Sequence, residues 1–431
     1  MKILLVNPPN SGRSIPEEEY GIDSLKPIFR GEPLGLEVLA GNLRDHEVKI
    51  LDLKVEPDQL ASTLNDFQPD VVGFTGMTCE AQTVCLLAQT VKDTSSAVVV
   101  VGGIHASNDP DFFNKPEIDY IVVGLGKKSF RQLIVDLEQG QSPIDIPGIA
   151  NVCPGEKLKI TKRAYSFADL VDDQPPAYEL VAHYRDAYFL TSLKMNMGFA
   201  ATAFGCPFNC SFCCIKPLTD GNYLPHSQEA VLRDIRLLED IPVIRLLDAN
   251  TFGDPRQATK LCEAIVAADL KKQFLADVRS DTVVRHPEMM RDWRQAGLRA
   301  VIVGFEEVTD NGLAKFNKKN KVAINSEAIT ILHDLGITIV GDFIISPDYD
   351  EQDFDRLEAY IDTHAIDLPM ITVLTPLPGT ELYSRRRDEI VISDLDYYTL
   401  TNAVLPTKMK PGAFYQRYAA LLHKSHSGKG I

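Results

Sequence analysis

The sequence predicts an α/β protein built from two alternating halves. A Rossmann-like, doubly wound domain is expected over residues 1–142, a partial (β/α)6 barrel of TIM type over 191–380 and a small cap over 381–431, with 143–190 as a linker. Three observations predict it. Short β-branched runs alternate with helical apolar periods through the first third of the chain, the pattern of a parallel sheet covered by helices. Pro143, Pro147, Pro154, Pro175 and Pro176 then punctuate a stretch of weak periodicity that holds a small docking element. From residue 191 onward the alternation resumes for six strand–helix steps.

In chain order, the first strands are expected at Ile3–Val6, Val48–Leu53, Val71–Thr75, Ala97–Val101 and Tyr120–Val123. Between them, Leu60, Leu64 and Phe67 share one helical face, and Phe130, Leu133, Ile134 and Leu137 another, which Gly140 ends. The barrel strands are expected at Gly198–Phe204, Val243–Leu247, Phe274–Val278, Ala300–Phe305, Thr338–Ile345 and Ile371–Thr375. Ser227 is placed to cap a helix whose inner face is Val231, Ile235 and Leu238. Ala328, Ile331, Leu332 and Leu335 form a further stripe, closed by Gly336. The cap is aromatic, with Tyr397, Tyr398, Phe414 and Tyr415, and the tail SHSGKGI is expected to be disordered.

With 431 residues, 45% of them hydrophobic, the chain buries full cores without disulfide staples. Its formal charge of -16 lacks the global basic field of a nucleic-acid binder. The apolar run Ile3–Val6 is too short for a signal-peptide core, and AVVVVGGI falls far below the roughly 18–20 residues of a spanning helix. A cytoplasmic protein without a transmembrane segment is expected, with peripheral membrane contact left open.

Four of the eight cysteines lie in GCPFNCSFCC, residues 205–214. In a reducing compartment such clustering favours metal or redox chemistry over disulfides. Cys206, Cys210 and Cys213 have the spacing C-x3-C-x2-C just after the first expected barrel strand, at the end where barrel active sites are built. Three thiolates on one short loop reach three corners of an iron–sulfur cubane and leave one iron open, whereas a structural [4Fe-4S] cluster has four cysteine ligands. Zinc, with Cys214 as fourth ligand, is the rival. Structural zinc sites are built from separated pairs, however, and adjacent Cys213 and Cys214 diverge.

C-x3-C-x2-C after a first barrel strand, with Phe212 before the last cysteine, resembles the radical S-adenosylmethionine (SAM) superfamily. The resemblance implies that Cys206, Cys210 and Cys213 hold a [4Fe-4S] cluster whose open iron is chelated by SAM. It also implies an external electron donor, such as a flavodoxin or ferredoxin, and cleavage of SAM to a 5′-deoxyadenosyl radical. It assigns SAM contacts to Phe212, to Asp248 in LLDAN, to Arg279 and Asp281 in ADVRSD, and to Glu306 in VGFEE.

A doubly wound domain before such a barrel is similar to the cobalamin-dependent branch of that superfamily, as are NPP (7–9), GEPLGLEVLAG (31–41), GFTGMTCEAQ (73–82), VGGIHAS (101–107), VVGLG (122–126) and LTPLPGTELY (374–383). Glycines after strands let backbone approach a large ring. The resemblance assigns cobalamin contacts to Thr75, Gly76, Met77, Thr78, Gly102, Gly103, His105 and Gly124, with the loop from Thr75 to Glu80 under the corrin. The D-x-H-x-x-G signature is absent from this domain; Asp362-Thr-His364 is the nearest match, lacks the glycine and lies in the barrel half. Cobalamin is therefore expected without a protein histidine on cobalt, His105 being a structural or tail-contacting residue. Where relatives read G-E-G-E, this chain has Gly124-Leu125-Gly126-Lys127.

The combination implies a class B cobalamin-dependent radical SAM C-methyltransferase, moving a methyl group from SAM via methylcobalamin to an unactivated carbon of an organic substrate. RSDTVVRHPEMM (279–290), TVLTPLPGTELY (372–383) and NAVLPTKMKPGAFYQRY (402–418) resemble the hopanoid C-3 methylases. Bacteriochlorophyll-ring methylases and anaerobic porphyrin-ring cyclases share much of the pattern, so lipid and tetrapyrrole substrates both stand. The alternatives are an oxidative cyclase that uses both cofactors without methyl transfer, and a non-catalytic corrinoid carrier. Tyr397, Tyr398 and Phe414 are expected either to pack the cap or to line an apolar substrate pocket.

Overall fold

The computed structural model describes residues 1–22, 29–143, 145–170, 174–190 and 195–427. Of the tail expected to be disordered, 425–427 end the last helix, and 428–431 lie outside the described residues.

β1 (Lys2–Asn7) is followed in the chain by β2 (Phe29–Arg30), which pairs elsewhere, and then by β3 (Glu47–Asp52), β4 (Val71–Phe74), β5 (Val98–Val101), β6 (Tyr120–Val122) and β7 (Ile149–Asn151). Across the first sheet the order is β3-β1-β4-β5-β6-β7, and the pairs are parallel except β6 with β7. All of Val71–Phe74 and nearly all of Lys2–Asn7 are buried, as strands covered on both faces must be. The strand order reverses between β1 and β4, where a doubly wound sheet opens a crevice beyond its carboxyl ends. β7 corrects one expectation: its residues were assigned to a linker because Pro143 and Pro147 mask a three-residue strand, yet it completes the first sheet as an antiparallel edge.

β8 (Phe189–Leu190) and β9 (Met195–Asn196) join β2 in a small antiparallel sheet. The expected strand Gly198–Phe204 is two pieces. β10 (Gly198–Ala200) enters the barrel sheet, whereas β11 (Ala203–Phe204) turns away to pair with β12 (Leu224–Pro225). β13 (Val243–Leu246), β14 (Gln273–Val278), β15 (Leu298–Glu306), β16 (Thr338–Ile345) and β17 (Leu368–Val373) follow, giving a parallel sheet in the order β10-β13-β14-β15-β16-β17, a partial (β/α)6 barrel.

Buried polar contacts join the halves. Glu32 accepts the Phe199 N–H at 2.7 Å and pairs with Arg185, while the Tyr178 hydroxyl donates to the Phe199 carbonyl at 2.8 Å. The first barrel strand is thus gripped on both backbone groups by elements outside the barrel. The cap returns to the N-terminal segment: Asn402 accepts the Ile15 N–H and donates to the Arg13 carbonyl, both at 2.8 Å. Tyr398 and Phe414 are buried in this packing, and Tyr397 donates to Glu18 beneath the Arg13 guanidinium, so the cap aromatics pack the cap. Among the described residues no helix is long and apolar enough to cross a membrane.

Candidate functional site

The cysteine loop begins where β10 ends. Thr202 and Ala203 direct their N–H groups, and Thr202 its hydroxyl, at the Asp248 carboxylate over 2.7–3.0 Å. β11 then sends the chain outward to residues 205–214. On the outer side, Ser211 N–H donates to the Phe316 carbonyl (2.9 Å), Leu382 N–H donates to the Ser211 carbonyl (2.8 Å) and the Asn317 amide donates to the Asn209 carbonyl (2.7 Å). The Phe212 ring packs edge-on against Phe316 at 5.4 Å.

Cys206, Cys210 and Cys213 are half-buried free thiols close enough to act on one another's charge. Burial first, and then negative charge on Cys214, Cys210 and Cys206, push Cys213 up to about 12. Burial also raises Cys206, opposed by the positive charge of Arg279 and Lys318. Three thiolates on one loop need such cations beside them. Among the described residues no three Cys, His, Asp or Glu side chains close on a single metal-ion position.

The polar residues expected on SAM are tied to the cysteine loop and its surroundings. Asp248 holds Thr202 and Ala203. Arg279 stacks its guanidinium 3.8 Å from the ring centre of Phe208, inside the cysteine loop, and donates to Asp281 and to the Lys318 carbonyl, each at 2.9 Å. Asp281 also pairs with Arg285. Glu306, in the left-handed region at φ 63°, pairs with buried Lys318 at 2.7 Å. Gly304 makes that pair possible, because a Cβ there would overlap the Glu306 carboxylate. Burial lowers Lys318, but Glu306 and Cys210 outweigh it and leave the ammonium raised. Asp248, Arg279 and Glu306 thus form a shell that fixes the loop. Lys318 was missed, since NKKNK reads as a solvated run, and so was Phe208.

In the first domain, the loop after β4 is held by side-chain contacts. Met77 N–H donates to Glu80 at 2.9 Å, and Glu80 pairs with Lys54 at 2.7 Å. Gly103, at φ 94°, lies so close that a Cβ would stand 2.5 Å from the Thr75 hydroxyl oxygen. Two cavities open here. A cleft of 790 Å3 is lined by Thr75, Gly76, Met77 and Glu80, with Thr399 and Thr401 of the cap at its edge. A slot of 410 Å3 runs beneath, between the ends of β1, β4, β5 and β6 and the helices Leu34–Gly41 and Gly126–Glu138, reaching Gly102 and Gly124. Both share Thr75, Gly103, Ile104, Leu218 and Leu247, so the halves of the chain meet at one wall.

Six of the eight expected cobalamin contacts line these cavities. Thr78 and His105 do not. Thr78 is buried, and His105 is fully enclosed, edge-on to Phe112 and Phe113, with neither ring nitrogen hydrogen-bonded. Burial lowers His105 to about 4, so it is a neutral core residue. His364 lies elsewhere, stacked on Tyr360 and bonded to Ser326 at 2.8 Å. The slot is lined almost entirely by apolar side chains and glycines, whereas the cleft also has polar residues such as Glu32, Lys54 and Glu80.

Known proteins divide the chain the same way. Residues 25–134 match the B12 binding domain, and residues 202–361 match the Radical SAM superfamily. The chain is 29% identical to the hopanoid C-3 methylase of Methylococcus capsulatus over 94% of its length and 78% of that protein's. It is 26% identical to the anaerobic magnesium-protoporphyrin IX monomethyl ester cyclase of Synechocystis sp. (91% and 78% covered) and 24% identical to the bacteriochlorophyllide d C-8(2)-methyltransferase of Chlorobaculum tepidum (88% and 81%). Its fold is similar to that of the radical S-adenosylmethionine methyltransferase TsrM from Kitasatospora setae, solved with cobalamin and a [4Fe-4S] cluster, at TM-score 0.71 and 16% identity over 98% of this chain and 88% of that one. The chain thus carries a B12 binding domain followed by a Radical SAM domain, and the three-thiol loop lies in the second.

Proposed function

We propose that the protein is a cobalamin-dependent radical SAM C-methyltransferase whose substrate is a small organic molecule of hopanoid or tetrapyrrole type, the classes named by its relatives. The observation that carries it is the shared wall. Leu218, just beyond the cysteine loop, and Leu247, at the end of β13, line the same cavities as Thr75 and Gly103. When bound, a cluster with SAM supplies a carbon-centred radical, and a corrinoid supplies the methyl group.

The residues provide the rest. Cys206, Cys210 and Cys213 are the cluster ligands, held by Asp248 from below and by Arg279 on Phe208 from the side. The loop from Thr75 to Glu80 with Gly103 cradles the corrin, and the slot receives its tail. Apolar side chains at the shared wall exclude water from the meeting point, where misplacement of reacting atoms costs rate steeply. An external one-electron donor completes the system. A reducing cytoplasm suits eight cysteines that are all free thiols.

The test is anaerobic loading with iron, sulfide and cobalamin, followed by mass analysis of hopanoid and tetrapyrrole extracts incubated with SAM and a reductant. A product heavier by one CH2 is expected. A product made lighter by loss of hydrogen points to a cyclase, and absence of 5′-deoxyadenosine to a carrier.

A further inference from the structure

We infer that residues 156–167 form a docking face for an anionic bilayer surface, at which the protein meets its acceptor. The inference deepens the proposed function on its lipid side and concerns where the acceptor is taken up.

Charge points there first. The chain carries a formal -16, yet residues 157–163 hold Lys157, Lys159, Lys162 and Arg163. Lys157 and Lys159 are exposed and make no ion pair among the described residues. Lys162 reaches Asp220 only at 3.7 Å, with the two side chains 85% and 59% exposed, a pairing of little worth in water. Arg163 alone is neutralised, by Asp169 at 2.6 Å. Against the three lysines the segment sets one exposed acid, Glu156.

Apolar groups stand among these cations. Ile160 is 39% exposed and Phe167 59%, and among the described residues no other aromatic side chain is as exposed as Phe167. Lysines interleaved with protruding apolar side chains suit a headgroup layer, which takes cations at its surface and apolar groups at the edge of the hydrocarbon. An acidic protein surface would match the lysines but give Phe167 no apolar layer to enter.

The backbone holds the face in place. Gly148 N–H donates to the Thr161 carbonyl at 2.8 Å and Ile160 bridges to Ala150, so the segment runs along β7. The Arg163 guanidinium lies 5.3 Å from the ring centre of Tyr165, and Ser166 caps the short turn Phe167–Asp169. Lys128 adds a cation at the Ala168 carbonyl. The face also adjoins the site. The Tyr165 hydroxyl accepts the Leu125 N–H at 3.2 Å, and Asp220, beside Lys162, lies just after Leu218; Leu125 and Leu218 both line the slot. An anionic surface repels an acidic chain elsewhere, so a local basic face also sets which side approaches.

The experiment floats the purified, cofactor-loaded chain with vesicles of phosphatidylcholine alone and of phosphatidylcholine mixed with phosphatidylglycerol. Binding is expected to the mixed vesicles only, and high salt is expected to abolish it. Each lysine near such a surface is worth about fivefold in partitioning, so Lys157→Gln, Lys159→Gln and Lys162→Gln combined are expected to weaken binding about a hundredfold. Phe167→Ser alone is expected to weaken it about tenfold. Melting curves and 5′-deoxyadenosine formation in vesicle-free buffer are expected to match those of the native protein. Absence of binding to the mixed vesicles, equal binding to both kinds, or native affinity in either variant would overturn the inference. Flotation needs no turnover, so such a result leaves the methyltransferase reading standing, whereas failure of that reading shows as absence of methylated product.

Discussion

The Asn108 side-chain amide donates to the Cys214 carbonyl at 3.0 Å, tying the end of the cysteine loop to the first domain. The same amide donates to the Ile104 carbonyl at 2.8 Å, and Gly379 packs so tightly on Asn108 that a Cβ there would strike its backbone. Asn108 therefore sets the spacing between the cysteine loop and the helix Ile104–Asn108 that follows β5. Asn108→Ala is expected to leave 5′-deoxyadenosine formation intact and to lower methylated product by about tenfold or more, because the radical still forms but the methyl donor is misplaced. The ratio of the two products, read by mass spectrometry, checks it.

Cys206→Ala, Cys210→Ala and Cys213→Ala are each expected to abolish the bound cluster and SAM cleavage. Cys214→Ala is expected to keep both, since Cys214 meets the first domain through its backbone carbonyl. Iron counts and visible absorbance after anaerobic loading distinguish these ligands from any set that includes Cys214.

Arg279 holds the loop by stacking on Phe208 and by its planar fork of donors. Arg279→Lys keeps the charge but loses the fork and the stack, an interaction of about 0.5–2 kcal/mol. The expected result is a cluster that forms and is then lost several-fold faster to a chelator, with the cysteine ligands unchanged. Equal lifetimes in the two proteins would assign Arg279 to charge alone.

The strands were legible because their runs of Val, Ile and Leu are short, apolar on both faces and punctuated by glycine, and the three thiols because their spacing has few other uses. What escaped is what depends on distant partners. Nothing local distinguishes Lys318 from Lys319, yet a bulge in β15 at Glu306 draws Lys318 inward. The break between β10 and β11 arises because Asp248, far along the chain, captures Thr202 and Ala203. Of the two readings of His105, structural or tail-contacting, packing against Phe112 and Phe113 supports the structural one, and those partners are not marked by any local pattern.

The Glu306–Lys318 pair has both side chains less than a tenth exposed. Lys318→Met leaves a buried carboxylate without its cation, which costs about 3–5 kcal/mol. Glu306→Gln combined with Lys318→Met removes both charges and is expected to recover much of that loss. Urea midpoints of the single and double variants measure the difference. A double variant no more stable than Lys318→Met would show that the lysine acts through Cys210 rather than through Glu306.

Glu37 lies at the contact between the helix Leu34–Gly41 and the segment Tyr178–Ala187, fully buried, with neither carboxylate oxygen hydrogen-bonded. Burial raises its carboxyl well above the ordinary value of 4.5; Glu32, Glu179 and Asp52 raise it further, and Arg185 opposes them. The folded chain therefore holds this proton after the unfolded chain has released it. As pH rises above 4.5 the unfolded state binds fewer protons than the folded state, so the stability contributed at this site falls with rising pH until the folded group itself ionises. Glu37→Gln keeps the shape and removes the proton. Urea midpoints at about pH 5 and about pH 8 are expected to fall more steeply for the native chain than for the variant. Glu32 is also raised, to about 7, and contributes the same sign in both proteins. Parallel slopes would mean that Glu37 is already ionised at its buried position and that a partner cation reaches it.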